Sequence, residues 1–395
     1  MEEKEHYFGV DLLRFFAAAI VVLNHFGIFT WNTPSVGVTG KWLAFPALVP
    51  ASWCGWVGVE IFFVISGFVI AASAQHATPG SFLKHRIIRV APALWICTTL
   101  AFALQLTSGQ PFNPLLAAYV RSLFLSPVGP YIDGVIWTLV VEAAFYLLIF
   151  ATLLAGKFDR INRIAIGLGI ASAIFLTIFA YAEFFHDIPV FAKIAAVCGR
   201  FYFKLLLLRH GVLFACGMLL WYGFEHGFSR LTLALIGVFV AFGAVEIVIQ
   251  SAEFDPIILL RAEAGPSVPP LLNRAMLAVF IWMGGVSSLV LSVVFRSKIY
   301  RGFKNHGKLF RDIGLLTYPI YLNHFVLGMT IVPALFALGL ERSLVFAISL
   351  ATVLASSWFI MSLPERALRA VLLSIITRPP KVAWSELRKR HWWKR

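Results

Sequence analysis

The sequence predicts an all-α polytopic membrane protein, a bundle of about ten transmembrane helices with both termini in the cytoplasm. Of its 395 residues, 60% are hydrophobic and only 13% are charged, whereas about a quarter of the residues of a soluble domain are charged. The mean hydropathy is +0.84. The apolar residues also form long runs, each close to the ~20 residues that cross a ~30 Å hydrocarbon core. A protein folded in water would lack the polar side chains to cover its surface.

Ten apolar segments of spanning length follow one another along the chain. The loops between them contain turn-forming dipeptides such as Gly265-Pro266 and Pro269-Pro270. We divide the chain into a transmembrane domain over residues 1–370 and a basic cytoplasmic tail over residues 371–395. The predicted spans are residues 11–30, 53–74, 90–107, 134–156, 163–181, 203–222, 231–250, 274–295, 313–338 and 343–364.

The positive residues predict the orientation. The chain has 33 Lys and Arg against 19 Asp and Glu, a net charge of +14. In a soluble protein this excess would indicate nucleic-acid binding, but in a membrane protein it marks cytoplasmic loops. With the N-terminus inside, 23 of the positive residues lie on the cytoplasmic side, nine lie outside, and Arg14 lies within the first span. An even number of spans then places both termini inside, and we expect the basic tail to contact anionic membrane lipids.

The first predicted span contains two ionisable residues, Arg14 and His25. Such residues are costly inside a membrane and are functional candidates for that reason. They are eleven residues apart, about three helical turns, so they share a face and differ in depth by ~16 Å. Arg14 is therefore predicted near the cytoplasmic boundary and His25 in the outer half. Snorkelling of Arg14 and a structural role for His25 are the alternatives.

Three more ionisable residues are predicted at the depth of His25, on separate helices. Glu60 lies near the start of the second span, Glu142 lies early in the fourth, and His324 lies about three turns into the ninth. A carboxylate can hold an imidazole in one tautomer and raise its basicity. We therefore predict a catalytic group of His25, Glu142, Glu60 and His324, with Glu142 as the first choice to orient His25.

Two arginines follow the second span on its cytoplasmic side. Arg86 and Arg89 are three residues apart and so are neighbours on a helix. Together with Arg14 they could form an anion pocket, because the guanidinium fork binds phosphate bidentately and keeps its charge. A plain positive-inside anchor is the alternative.

Neither a nucleophilic serine nor a metal site is predicted. Ser66 precedes Gly67 without a nucleophile elbow, so a close helix–helix approach is the expected role of the pair. The four cysteines have no metal-ligand spacing. A disulfide between Cys54 and Cys198 remains an open alternative.

At these residues the chain resembles the membrane-bound acyltransferase-3 family. The matching segments occur in the family's order over most of the chain, and the region from Lys157 to Ser292 matches little. They are Asp11-Leu12-Leu13-Arg14-Phe15 with His25, residues 58–68, residues 82–92, Trp137-Thr138-Leu139 before Glu142, and residues 318–324.

The resemblance implies a bacterial inner-membrane enzyme that moves an acyl group, commonly acetyl from acetyl-CoA, to a hydroxyl of a cell-surface sugar. His25 corresponds to the family's catalytic histidine, Arg14 to the arginine of the same signature, and Arg86 and Arg89 to the basic pair at the donor side. The expected partners are acyl-CoA, a surface glycan or lipid-linked saccharide, and membrane lipids, without nucleic acid; a homo-oligomer is left open. Residues expected to support structure or substrate are Asp11, Ser66, Trp137, Tyr318 and Tyr321.

Two other classes of protein remain as alternatives. Intramembrane histidine and glutamate also form proton relays in secondary transporters, although no paired broken helices are recognisable in the sequence. An acyltransferase of unrelated fold, acting on lipid or protein, is the second alternative. Within the acyltransferase interpretation the acyl group could be succinyl instead of acetyl.

Overall fold

The computed structural model of the chain describes residues 6–29, 44–262 and 270–377. These residues are almost entirely helical and include no strand, which confirms the all-α class. The helices are α1 (Phe8–Asn24), α2 (Val49–Ser52), α3 (Gly58–Ala74), α4 (Pro79–Thr107), α5 (Phe112–Leu123), α6 (Ile136–Leu154), α7 (Ile161–Phe184), α8 (Pro189–Cys198), α9 (Phe201–Leu205), α10 (Gly211–His226), α11 (Arg230–Ala262), α12 (Leu271–Val294), α13 (Arg296–Phe303), α14 (Gly307–Ala337), α15 (Arg342–Ser362) and α16 (Pro364–Thr377).

Within the described residues, nine helical segments are long and apolar enough to cross a membrane, and they confirm nine of the predicted spans. The sixth predicted span, residues 203–222, differs because it contains the short helix α9 and the 16-residue helix α10. At 1.5 Å per residue α10 is about 24 Å long, short of a ~30 Å core. Most of its residues are buried among other helices. The cytoplasmic placement of both termini requires a tenth crossing and stays a prediction.

Five helices enclose the centre of the molecule. In order around the ring, α1 packs on α3, α3 on α6, α6 on α4, α4 on α14, and α14 again on α1. Every predicted site residue lies on one of these helices or at its end. Helices α7, α10, α11 and α12 pack on the side of α3 and α1, and α15 packs on α14.

Close backbone contact joins α3 to α10, as the Ser66-Gly67 pair predicted. A Cβ atom placed on Gly67 would lie 2.1 Å from the carbonyl oxygen of Phe214, and one on Gly217 would lie 2.0 Å from that of Val64. Such distances are far inside van der Waals contact, so only glycine permits this crossing. Membrane helices associate in this way because small residues let their backbones approach closely.

We predict that Gly217→Leu lowers the melting temperature (Tm) of the detergent-solubilised protein. The added side chain must separate α3 from α10, and overpacking of this kind costs about 1–3 kcal/mol. Gly237→Leu is the matched control, because nothing lies within 4 Å of a Cβ at that exposed position on α11. Thermal unfolding monitored by fluorescence compares the two, and an equal Tm for both variants would contradict this account of the crossing.

The predicted division at residues 370 and 371 falls inside a helix, because α16 runs from Pro364 to Thr377. It packs on α4 and α15, and Glu365 accepts a hydrogen bond of 2.5 Å from Arg369 one turn later. The predicted tail from residue 378 onward lies outside the described residues.

All four cysteines are buried and free. The alternative of a disulfide between Cys54 and Cys198 is therefore not realised. These thiols behave as small apolar side chains of the core.

Candidate functional site

Two histidines from distant parts of the chain meet at the centre of the site. His25 begins a π-helical turn that continues α1 to Phe29, and His324 lies in the middle of α14. The Nδ1 atom of His25 is 2.6 Å from Nε2 of His324, and the rings stack with centroids 4.9 Å apart. The π-helical turn widens the helix at a functional position, as such turns often do. The structure thus joins two of the four predicted catalytic residues.

The hydrogen bonds of His324 determine the tautomers of both rings. Its Nδ1 lies 3.0 Å from the carbonyl oxygen of Ile320, which can only accept, so Nδ1 carries the hydrogen and donates it. In a neutral imidazole the other nitrogen, Nε2, is then an acceptor. His25 therefore donates from Nδ1 to His324, and its own lone pair lies on Nε2. That is the arrangement a general base requires.

His25 lines a cavity at one end of the helix ring, which we name the His25 cavity. Glu60 and Trp137, two further predicted site residues, also line it. The buried side chain of Asn24 fixes the end of α1 there, because it donates 2.7 Å to the carbonyl oxygen of Ser52. The other lining residues are Val21, Val59, Gly134, Val135, Gln250, Phe254, Tyr321 and Phe325 together with Asn24 and Trp56.

The three predicted phosphate-binding arginines line a second cavity, which we name the arginine cavity. Arg14 of α1 meets Arg86 and Arg89 of α4 there. Arg86 donates a hydrogen bond of 3.1 Å to the Ser73 hydroxyl, and its guanidinium lies 5.8 Å from the ring centroid of Tyr146. The cavity holds about 830 Å³ of empty space, including its open mouth. Guanidinium groups form charge-assisted, bidentate hydrogen bonds with phosphate, so these three have the chemistry that a phosphorylated ligand would require.

Glu142 lies in the arginine cavity and not beside His25. Its Oε1 accepts a hydrogen bond of 2.7 Å from the hydroxyl of Ser66. The expectation that four ionisable residues share one depth therefore differs from the structure: His25 and Glu60 line one cavity, Glu142 lines the other, and His324 lines neither but contacts His25. The side chain that holds His25 in its tautomer is His324, not Glu142.

The two cavities adjoin at Tyr321 and Val59, which line both. The Tyr321 hydroxyl lies 2.8 Å from Oγ1 of Thr138. Because the threonine hydroxyl donates to the carbonyl oxygen of Val135 at 2.9 Å, it accepts from the tyrosine. This hydrogen bond stands at the boundary between the arginine cavity and the His25 cavity.

The remaining predicted residues lie in different surroundings. Tyr318 lines the arginine cavity and donates 3.2 Å to the carbonyl oxygen of Val90. The ring of Trp137 lies 4.4 Å from the ammonium group of Lys204. Asp11 lines neither cavity; it accepts a hydrogen bond of 2.6 Å from His6 and abuts Gly314 of α14.

Asp133 is a residue of the site that the sequence analysis missed. It is buried in the loop before α6, where its two carboxylate oxygens accept from the backbone N–H groups of Val135 at 3.0 Å and Val326 at 3.3 Å. Burial raises the pKa of Asp133 to about 7. The carboxylate ties this loop, which lines the His25 cavity, to α14 two residues beyond His324. The sequence does contain one indication of its role: Asp133 lies just before a helix, where capping residues occur.

Comparison with known proteins gives one family and two relatives. The family model described as "Acyltransferase domain" matches residues 7–362. Nodulation protein 10 of Rhizobium leguminosarum bv. viciae is 32% identical over 169 residues, a match that covers 36% of this chain and 43% of that protein. Exopolysaccharide production protein ExoZ of Rhizobium meliloti (strain 1021) is 26% identical over 279 residues, covering 66% of this chain and 84% of that protein. No solved structure matches the chain.

Proposed function

Since the Acyltransferase domain model covers residues 7–362, the chain belongs to that family, and on this premise we propose that it transfers an acyl group from acyl-CoA to a hydroxyl of an exported or cell-surface saccharide. Acetyl is the expected group and the bacterial inner membrane the expected location. The similarity to an exopolysaccharide production protein and a nodulation protein supports a saccharide acceptor.

The observation that carries this proposal is the adjacency of an arginine cavity and a histidine cavity inside one ring of helices. Arg14 and His25 lie on the same helix, ~16 Å apart along its axis. Coenzyme A is a long molecule with phosphates at one end and the thioester at the other. Phosphates bound by the arginines would let the pantetheine arm extend past Tyr321 and bring the thioester to His25.

The donor side depends on charge-assisted hydrogen bonds. Arg14, Arg86 and Arg89 would bind the phosphates of the donor, and Glu142 would partly balance their positive charge before the donor arrives. The hydroxyl of Ser66 keeps the Glu142 carboxylate in place. In this proposal Glu142 acts at the donor site, in the arginine cavity, and does not act on His25.

On the acceptor side, His25 acts as a general base. Nε2 of His25 removes the proton of the acceptor hydroxyl while the hydroxyl oxygen attacks the carbonyl carbon of the thioester. The carbon–sulfur bond then breaks, and the imidazolium returns the proton to the departing thiolate, giving the ester and the thiol of coenzyme A. His324 accepts the Nδ1–H of His25 throughout and so keeps Nε2 directed at the acceptor.

Sidedness tests the proposal. In vesicles of known orientation, labelled acetyl-CoA supplied only on the cytoplasmic side should acetylate a saccharide acceptor supplied only on the opposite side. The two cavities are lined by successive parts of α1 and its π-helical end, so each substrate should reach its own end of the site. Vesicles without the protein are the control.

Two results would contradict the proposal in different ways. Labelling that requires both substrates on one side would make this a one-sided acyltransferase. Proton-coupled saccharide movement without any release of coenzyme A would instead support a transporter.

A further inference from the structure

A buried polar cluster lies beside the His25 cavity and takes no part in the proposed reaction. Glu60 of α3, His210 immediately before α10 and Glu246 of α11 come together there, with exposed fractions of 2%, 0% and 0%. One nitrogen or carboxylate oxygen of each lies within 4.8 Å of those of the other two. These residues are far apart in sequence, so they show no spacing typical of metal ligands. No metal site is predicted from the sequence for that reason.

Several polar atoms of this cluster have no hydrogen-bond partner. They are Oε2 of Glu60, Oε2 of Glu246 and both ring nitrogens of His210. A buried polar atom without a partner destabilises the fold, and more so when it belongs to a charged group. Such atoms are uncommon in proteins, and four around one point require an explanation. A bound ligand that meets two carboxylates and an imidazole supplies it.

The charges of the neighbouring residues indicate a cation. Arg209 donates to both carboxylate oxygens of Glu253, at 2.8 and 2.7 Å, and this bidentate pair is neutral by itself. Nε of the same guanidinium also donates to Glu246 at 3.2 Å, so one arginine serves two carboxyl groups, and Glu60 is a third buried carboxyl group beside them. The ammonium group of Lys204, over the Trp137 ring, supplies one further positive charge near these carboxyl groups. Three carboxyl groups therefore stand against two cationic side chains, and a bound cation between Glu60 and Glu246 would offset the excess.

We propose that Glu60, His210 and Glu246 bind a divalent transition-metal ion of the zinc type. Zinc commonly takes histidine nitrogen and carboxylate oxygen ligands at about 2.0–2.2 Å. In a tetrahedral site those bond lengths place two ligand atoms about 3.4 Å apart. Separations of up to 4.8 Å would therefore shorten by up to about 1.4 Å on binding. The ion would tie α3 to α11 and to the start of α10.

The surroundings of the three residues suit such an ion. Nε of Arg209 donates 3.2 Å to Oε1 of Glu246, which orients this carboxylate and leaves Oε2 for the metal. Hydrogen bonds of this kind to metal ligands are a regular feature of metal sites. Glu60 also lines the His25 cavity, so a fourth coordination position would open toward it. Metal binding at this site is independent of the proposed acyl transfer.

Zinc titration of the full-length protein tests the proposal. The purified protein is stripped with a chelator, dialysed, and titrated with zinc chloride alone, and bound zinc is measured by elemental analysis alongside the Tm. We expect one zinc ion per chain and a higher Tm. Glu60→Gln and Glu246→Gln, which keep the side-chain shape, and His210→Ala should each lose that ion and the rise in Tm.

Two control variants distinguish this cluster from the other histidines. His226→Ala removes an exposed histidine at the end of α10, and His25→Ala disrupts the histidine pair; both should keep the bound zinc. X-ray absorption of the zinc-loaded protein should report nitrogen and oxygen ligands without sulfur. The proposal is overturned if the stripped protein binds no zinc at saturation, if His25→Ala alone abolishes binding, or if Glu60→Gln and Glu246→Gln bind as much zinc as the unmutated protein.

Discussion

Replacing His25 by alanine is expected to lower the kcat for acyl transfer about 10²–10⁴-fold, the range that a positioned general base contributes. Nε2 of His25 holds the lone pair that accepts the acceptor's proton, and the described part of the His25 cavity offers no second imidazole with that orientation. The KM for acyl-CoA should change little, because the arginines line the other cavity. Coenzyme A release by the purified protein gives both constants.

The matched control is His226→Ala, which removes an exposed histidine whose Nδ1 contacts only the backbone of the preceding turn. It should retain full activity, and both variants should elute as folded protein in detergent. A kcat for His25→Ala within a few-fold of the unmutated value would remove His25 from the catalytic role.

Variants of His324 distinguish between two roles of this side chain: positioning His25 through a hydrogen bond, and filling space in the core. Glutamine presents an amide oxygen that can accept the Nδ1–H of His25, whereas alanine cannot. His324→Gln should therefore retain more activity than His324→Ala, with a pH profile closer to that of the unmutated enzyme. Equal losses in the two variants would show that His324 does not act through this hydrogen bond.

Arg86→Ala and Arg89→Ala are each expected to raise the dissociation constant for acyl-CoA about 10- to 150-fold. A lost hydrogen bond to a charged phosphate costs roughly 1.5–3 kcal/mol, and each 1.4 kcal/mol is a factor of ten. The kcat should fall much less, because neither arginine lines the cavity of His25. Equilibrium dialysis with coenzyme A measures the affinity directly, and steady-state kinetics supply kcat.

The control for lost positive charge is Arg163→Ala, an exposed residue of α7 on the predicted cytoplasmic side. It removes the same charge from the loops without touching either cavity, so donor affinity should stay unchanged. If Arg86→Ala and Arg89→Ala also leave affinity unchanged and only disturb orientation in the membrane, the two arginines are topology anchors.

Several parts of the site followed from local spacing. Arg86 and Arg89 are three residues apart on one helix, and Arg14 and His25 are three turns apart on another, so their faces and relative depths follow from helix geometry. The high cost of ionisable groups in a membrane singled out His324 as well. Its Nε2 indeed lies 2.6 Å from His25, although 299 positions separate the two residues.

The depth of Glu142 did not follow from the same reasoning. Its predicted depth assumed that the fourth span starts at the membrane surface. Ile132 and Asp133 are already buried, with exposed fractions of 4% and 3%, so the chain enters the bundle before α6 begins. Glu142 consequently lies deeper, beside the arginines, and a buried loop of this kind leaves no periodic signal in the sequence.

The sequence by itself determined the all-helical membrane class and nine of the spans, and it singled out the arginines and histidines of the candidate site. The length of an apolar run and the cost of a charged side chain in a membrane are local properties. Only the tertiary structure decided which of these groups meet. The partner of His25, the position of Glu142 and the cluster of Glu60 with His210 and Glu246 all depend on how each helix is rotated and displaced along its axis. Those variables are set by contacts between helices, such as the backbone crossing at Gly67 and Gly217, and no single segment contains them.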